Sequence, residues 1–187
     1  MRALFTRLLA YPIEGTAPRI VHLREPIRAA GMSMETNVNT IYRDVPRLGK
    51  LYRDYKASHA IPDRKEPWAF VALSRGFDGR TGTFTYALGD VITSFANLPS
   101  GIEALEIPPM TYAVFPVRPR NRFGWPFAIA GAKRYIYETW LPTSAYQLGR
   151  LIDDFEYHDE RSTRRRQPEI DLYICIAPKG AHGSQAG

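Results

Sequence analysis

The sequence predicts an α+β fold. Duplicated β-α-β-β units form a curved, mainly antiparallel sheet with two main helices on one face and a ligand groove on the other. Three observations predict it. Apolar and aromatic residues alternate in short runs bounded by Gly and Pro, the pattern of half-buried strands. Two longer segments carry helical spacing. The order strand, helix, strand, strand occurs twice, and the interval from Phe70 to Phe84 equals that from Glu156 to Ile170.

Residues 1–18 form a short amphipathic lead-in ended by Pro12, Gly15 and Pro18. Residues 19–32 read as one strand, on an edge or bulged because Pro26 interrupts it. Leu48, Leu51, Tyr52 and Tyr55 recur at the spacing of an amphipathic helix. Either Asp44 caps it with Pro46 in the first turn, or it starts near Asn39 and kinks at Pro46. Two strands follow, over residues 68–73 and 83–88, joined by a Gly-rich hairpin loop. The connector holding Pro99, Gly101, Pro108 and Pro109 reads as an ordered loop, since Leu98, Ile102, Leu105 and Ile107 are too many apolar residues for a free linker.

The second half repeats this order. Residues 111–117 form a strand, 119–125 a loop, and 127–140 a helix stopped by Leu141-Pro142. Residues 154–158 form a strand, 161–167 a polar loop, and 169–176 the last strand. One domain therefore spans 19–178, with half-repeats at 19–95 and 111–178. The tail, 179–187, is Gly- and Ala-rich and is expected to be disordered.

Composition narrows the class. At 187 residues and 44% hydrophobic, the chain is long and apolar enough to bury one sizeable core. The single cysteine, Cys175, excludes an internal disulfide and any multi-cysteine metal site. It sits in an apolar strand, where a buried inert thiol is expected. The histidines, His22, His59, His158 and His182, show no metal-ligand spacing, so neither a metal nor another cofactor is expected. No apolar run approaches the ~20 residues of a membrane helix, and Arg7 interrupts the apolar start, against a secretory signal. A cytoplasmic protein is the expectation. Ser144 has no Gly-x-Ser-x-Gly elbow around it. The net charge is +6, but the basic run Arg161, Arg164, Arg165 and Arg166 lacks interleaved aromatics and reads as a solvated hairpin tip.

Within residues 154–158, side chains alternate, so Glu156 faces away from Phe155 and Tyr157. If those aromatics pack on a helix, Glu156 stands on the opposite face.

Several patches together resemble the GyrI-like domain, also called the AraC-type effector-binding domain. They are Phe84-Thr85-Tyr86-Ala87-Leu88-Gly89, Leu98-Pro99-Ser100-Gly101-Ile102, and the block from Ile107-Pro108-Pro109 to Tyr112-Ala113-Val114-Phe115. Further matches are Tyr137-Glu138-Thr139-Trp140-Leu141-Pro142 and the strand pair Phe155-Glu156-Tyr157 with Glu169-Ile170-Asp171. Two positions depart from the family pattern: Met110-Thr111 replaces the usual Gly before Tyr112, and Ile174-Cys175-Ile176 lacks the usual proline.

The resemblance implies a small-molecule-binding domain whose penultimate strand carries a ligand-contacting Glu, here Glu156. Tyr86, Tyr112, Trp125, Tyr137 and Trp140 are the candidate aromatic walls. A carboxylate among aromatic walls is poorly solvated, and a lipophilic cation offsets that cost while stacking on the rings. The expected partner is thus a lipophilic aromatic or cationic small molecule. With only about 18 residues ahead of the domain, direct DNA binding is not expected; a stand-alone binder, or a sensor acting through a protein partner, is. The resemblance also allows hydrolysis of cyclopropane-bearing DNA-alkylating compounds, with Glu156 as general base or charge stabiliser, and gyrase inhibition as an interaction protein.

Overall fold

The computed structural model describes residue 13 and residues 15–180; most of the lead-in and the end of the tail lie outside the described residues. Nine strands run in chain order as β1 (Arg19–His22), β2 (Ile27–Asn37), β3 (Phe70–Arg75), β4 (Thr83–Ile92), β5 (Glu103–Ile107), β6 (Thr111–Val117), β7 (Tyr146–Leu148), β8 (Asp154–His158) and β9 (Ile170–Pro178). The main helices are α1 (Ile41–Ser58) and α2 (Trp125–Tyr135). Helix α2 continues through a π-helical turn, Ile136–Trp140, into one more turn, Leu141–Thr143.

The strands lie side by side in the order β1-β6-β9-β8-β3-β4-β2-β5, with β7 added to the end of β9. All pairings are antiparallel. The two halves meet where β3 pairs β8, and from that seam outward the order is the same on both sides: β3-β4-β2 and β8-β9-β6. Each half-sheet then gains an edge strand from the other side of the sequence. β1 pairs β6 although the chain passes straight from β1 into β2, and β5 pairs β2 although it leads straight into β6. Only residues 23–26 and 108–110 make these two crossings. Connections so short, between strands at opposite ends of the order, require the sheet to curl until its ends approach.

The curl creates an inside. Ala29, Leu105 and Ile107 from one end of the sheet share a buried cluster with Tyr112 and Val114 from the other, together with Val71, Phe155 and Cys175 between them. The outside carries both helices. Helix α1 places Leu48 and Tyr52 against Ala30, Ala72 and Leu88, and α2 places Ala128 and Ala132, with Ile136 beyond its end, against Phe115, Leu172 and Ile174.

Two expectations about elements change. Residues 19–32 are two strands rather than one, because the chain crosses between sheet ends at Pro26. The connector expected to be an ordered loop contains β5. Helix α1 begins at Ile41 and runs through Pro46, with Thr40 in the capping position.

The face on which Glu156 stands also changes. Glu156 was expected on the face away from the helices. It pairs across the sheet with Ala72 and Leu172, which belong to the clusters under α1 and α2. Glu156 is therefore on the helical face, between the two helices. The physical reason is the curl: Phe155 packs inside the sheet against Tyr112 and Tyr173, not on a helix.

Candidate functional site

The seam between the halves brings three rows of largely buried side chains together on the helical face of the sheet. Register alone builds them. The first row is Tyr86, Ser74 and Asp154; the second is Leu88, Ala72 and Glu156; the third is Asp90, Phe70 and His158. Every second residue of β8 points outward, so Asp154, Glu156 and His158 stand in one column.

The two carboxylates of that column differ. Asp154 is buried and doubly satisfied: Lys133 Nζ donates to it at 2.7 Å, and the Tyr137 hydroxyl donates at 2.7 Å. Lys133 and Tyr137 come from one wall, since residues four apart share a helical face. Glu156 is 6% exposed. Its ion-pair partner is His158, whose Nε2 lies 3.6 Å from Oε2, beyond hydrogen-bond length. Among the described residues, no buried side-chain oxygen or nitrogen is both enclosed and unpartnered. The unbonded Glu156 oxygens are therefore not fully enclosed.

The local field is acidic. Burial alone would lower the pKa of Lys133, but the Asp154 and Glu156 carboxylates reverse this and hold it above the usual lysine value. Burial pushes the Tyr86 phenol well up, and Glu156 and Asp154 push it further. Tyr137 is raised by burial and then by Asp154. Lys133 pairs with Asp154, and Lys56 and Arg64 pair with Asp90, which leaves Glu156 as the carboxylate of the three rows with no lysine or arginine partner among the described residues.

Aromatic rings frame the third row. Tyr52 of α1 meets Phe70 at 6.3 Å between centroids, Phe70 meets His158 edge-on at 5.6 Å, and His158 meets Trp125 of α2 at 6.1 Å. The chain of rings crosses the groove from one helix to the other.

Of the residues expected at the site, Tyr86, Trp125, Tyr137 and Glu156 come together here. Tyr112 does not. It lies inside the curled sheet, fully buried, with its hydroxyl donating to the Pro108 carbonyl at 2.7 Å. Trp140 packs edge-on to Phe115 at 5.1 Å and beside Tyr146 at 6.3 Å, in the cluster that fixes the end of α2 to the sheet. Asp154, Lys133, Ser74 and Phe70 were not anticipated. Signals pointed to the first two of these: the period of β8 puts Asp154 beside Glu156, and Lys133 sits one turn before Tyr137. The π-helical turn holding Tyr137 is itself a feature that recurs at functional sites.

Among the described residues, no cluster of three or more His, Cys, Asp or Glu side chains is arranged to hold a metal ion. No helix among them is long and apolar enough to cross a membrane.

Comparison with known proteins agrees with this architecture. The family model for Cass2, an integron-associated effector-binding protein, matches residues 19–176. The chain is 23% identical over 156 residues to the putative transcriptional regulator protein YobU of Bacillus subtilis, covering 80% of this chain and 91% of that one. It is similar in fold to an integron cassette protein of Vibrio cholerae, with a TM-score of 0.59 at 13% identity, covering 87% of this chain and 97% of that one. It is also similar to SAV2435, solved bound to tetraphenylphosphonium, with a TM-score of 0.64 at 10% identity over 86% and 93% of the two chains.

Proposed function

The chain belongs to the Cass2 family of integron-associated effector-binding proteins, and from that premise we propose that the groove between α1 and α2 binds lipophilic monocationic small molecules. The carrying observation is Glu156, a 6% exposed carboxylate without a hydrogen-bond partner on the floor of an aromatic-lined groove. Such a charge is poorly hydrated and accepts no hydrogen bond from the described residues, with the His158 imidazole 3.6 Å away, a costly state in the free protein. A cation restores a counter-charge. If the cation is also lipophilic, it loses little hydration on entering. The rings of Phe70, Trp125 and Tyr86 offer apolar contact and cation–π attraction of roughly 0.5–2 kcal/mol per well-placed ring.

A monocation is the matching charge, since Lys133 already pairs with Asp154 and one carboxylate of the column, Glu156, has no lysine or arginine partner among the described residues. Tetraphenylphosphonium, the compound bound to SAV2435, has this chemistry and is the probe of choice. Calorimetric titration should show binding to the unaltered protein. Glu156→Gln, which keeps the shape and removes the charge, should weaken it by about 1–3 kcal/mol, with the unfolding midpoint held within a few degrees. Equal affinity of the two proteins would overturn the assignment of Glu156.

A further inference from the structure

A second cleft lies beyond the groove, between the loop leading into α2 and the hairpin joining β8 to β9. It has a volume of about 550 Å³ and is lined by Arg120, Asn121, Phe123, Trp125, Arg164 and Arg165, with Ser162 and Thr163 on the hairpin side. That volume suits one small molecule.

Its chemistry is opposite to that of the groove. The acids nearby are already engaged. Arg161 donates to Asp159 at 2.9 Å and to Asp171 at 2.8 Å, and Glu169 is held by Arg161 and Arg118. Arg164 and Arg165 form no ion pair among the described residues. Glu160, the remaining acid of the hairpin, does not line the cleft.

The hydroxyl protons of Ser162 and Thr163 are already engaged by the Asp159 and Glu160 carbonyls at 2.7 and 2.8 Å, so the donors that line the cleft are Arg164, Arg165 and Asn121. Asn121 uses its side-chain oxygen to accept from Phe123 N at 3.0 Å, which leaves its amide N–H groups as donors. Guanidinium and amide donors thus face two aromatic rings, one of them, Phe123, 70% exposed.

We propose that this cleft binds a small aromatic anion, a flat ring bearing a phosphate or carboxylate. The arginines hold the anion through charge-assisted, forked hydrogen bonds, and Phe123 and Trp125 cover the ring. A cleft of about 550 Å³ matches one small molecule in size, which favours a small molecule over a nucleic-acid strand. It does not depend on the reading of the groove.

The test uses 1-naphthyl phosphate and 1-naphthoate as probes in calorimetric titration, with inorganic phosphate and 1-naphthol as controls. At least one aromatic anion should bind about tenfold or more tightly than either control, and the ratio between the two identifies the preferred anion. Arg164→Ala/Arg165→Ala should weaken that binding about tenfold or more, while tetraphenylphosphonium affinity stays within about twofold. Aromatic anions held no better than the controls, or equally by the double variant, would overturn the proposal. So would a single-stranded oligonucleotide that binds more tightly than the naphthyl probes and is lost in the double variant, since the surface would then serve nucleic acid.

Discussion

Asp154 and Glu156 stand on the same strand, on the same face, two residues apart, and have different tasks. Asp154 is committed to Lys133 and Tyr137 and ties α2 to the central seam. Glu156 is left uncommitted. This division predicts opposite phenotypes. Lys133→Met leaves the buried Asp154 carboxylate without its counter-ion. Breaking such a pair costs about 3–5 kcal/mol when fully buried. The Lys133 side chain is 21% exposed, so about 3 kcal/mol is expected, read as a lower urea midpoint with unchanged slope. Glu156→Gln should leave the midpoint nearly unmoved and weaken only cation binding; a large loss of stability there would mean that Glu156 is structural. At this scale the sequence was informative where the period of a strand or helix suffices. It placed Glu156 opposite Phe155, and the same rule reaches Asp154. It could not place Tyr112, because whether an alternating residue faces a helix or the inside of a curled sheet depends on contacts between strands far apart in the chain.

The elements hold together through close approaches that only certain residues permit. Gly31 of β2 pairs with Gly89 of β4. A Cβ on Gly31 would stand 2.0 Å from the Leu88 carbonyl oxygen, and one on Gly89 would stand 2.4 Å from the Ala30 carbonyl oxygen. Both obstacles are backbone, which cannot swing aside as a side chain can. The pair lets β2 and β4 pack tightly beneath α1. Gly31→Ala should therefore force the strands apart and cost about 3 kcal/mol, at the upper end of overpacking effects. A thermal unfolding midpoint equal to that of the unaltered protein would refute this. The helices and hairpins were legible because their signals are local: apolar spacing in α1 and Gly-rich loops between β3 and β4; the stop expected at Leu141-Pro142 came out otherwise, since Pro142 fits the first positions of one more turn, Leu141–Thr143. β5 was not, because its five residues are flanked by glycine and prolines and become a strand only by pairing with β2. The split of residues 19–32 into β1 and β2 was hidden for the same reason, since β1 finds its partner in β6.

At the scale of the whole molecule, the two crossing connections turn a doubled unit into a curled sheet with one buried inside and one helix-bearing outside. Tyrosines are enclosed on both faces. Tyr112 is raised in pKa by burial inside the sheet, while Tyr52, Tyr86 and Tyr137 are raised, by burial first, on the helical face. Lys133 is raised as well, by Asp154 and Glu156 against the effect of its burial. Each of these groups binds its proton more tightly in the folded chain than in the unfolded one. Their contribution is fully present below the ordinary values of 10.0 for tyrosine and 10.5 for lysine. Above those values the folded state holds more protons than the unfolded state, so every further rise in pH favours unfolding. The fold should therefore withstand neutral and mildly alkaline conditions and fail cooperatively at pH above about 10. Tyrosinate absorbance followed together with near-ultraviolet circular dichroism checks this. The enclosed tyrosines, Tyr52, Tyr86, Tyr112 and Tyr137, should ionise in one step that coincides with loss of the dichroism. If all the tyrosines titrate in a single wave near their ordinary value while the dichroism persists, the curled, closed packing is not the state in solution.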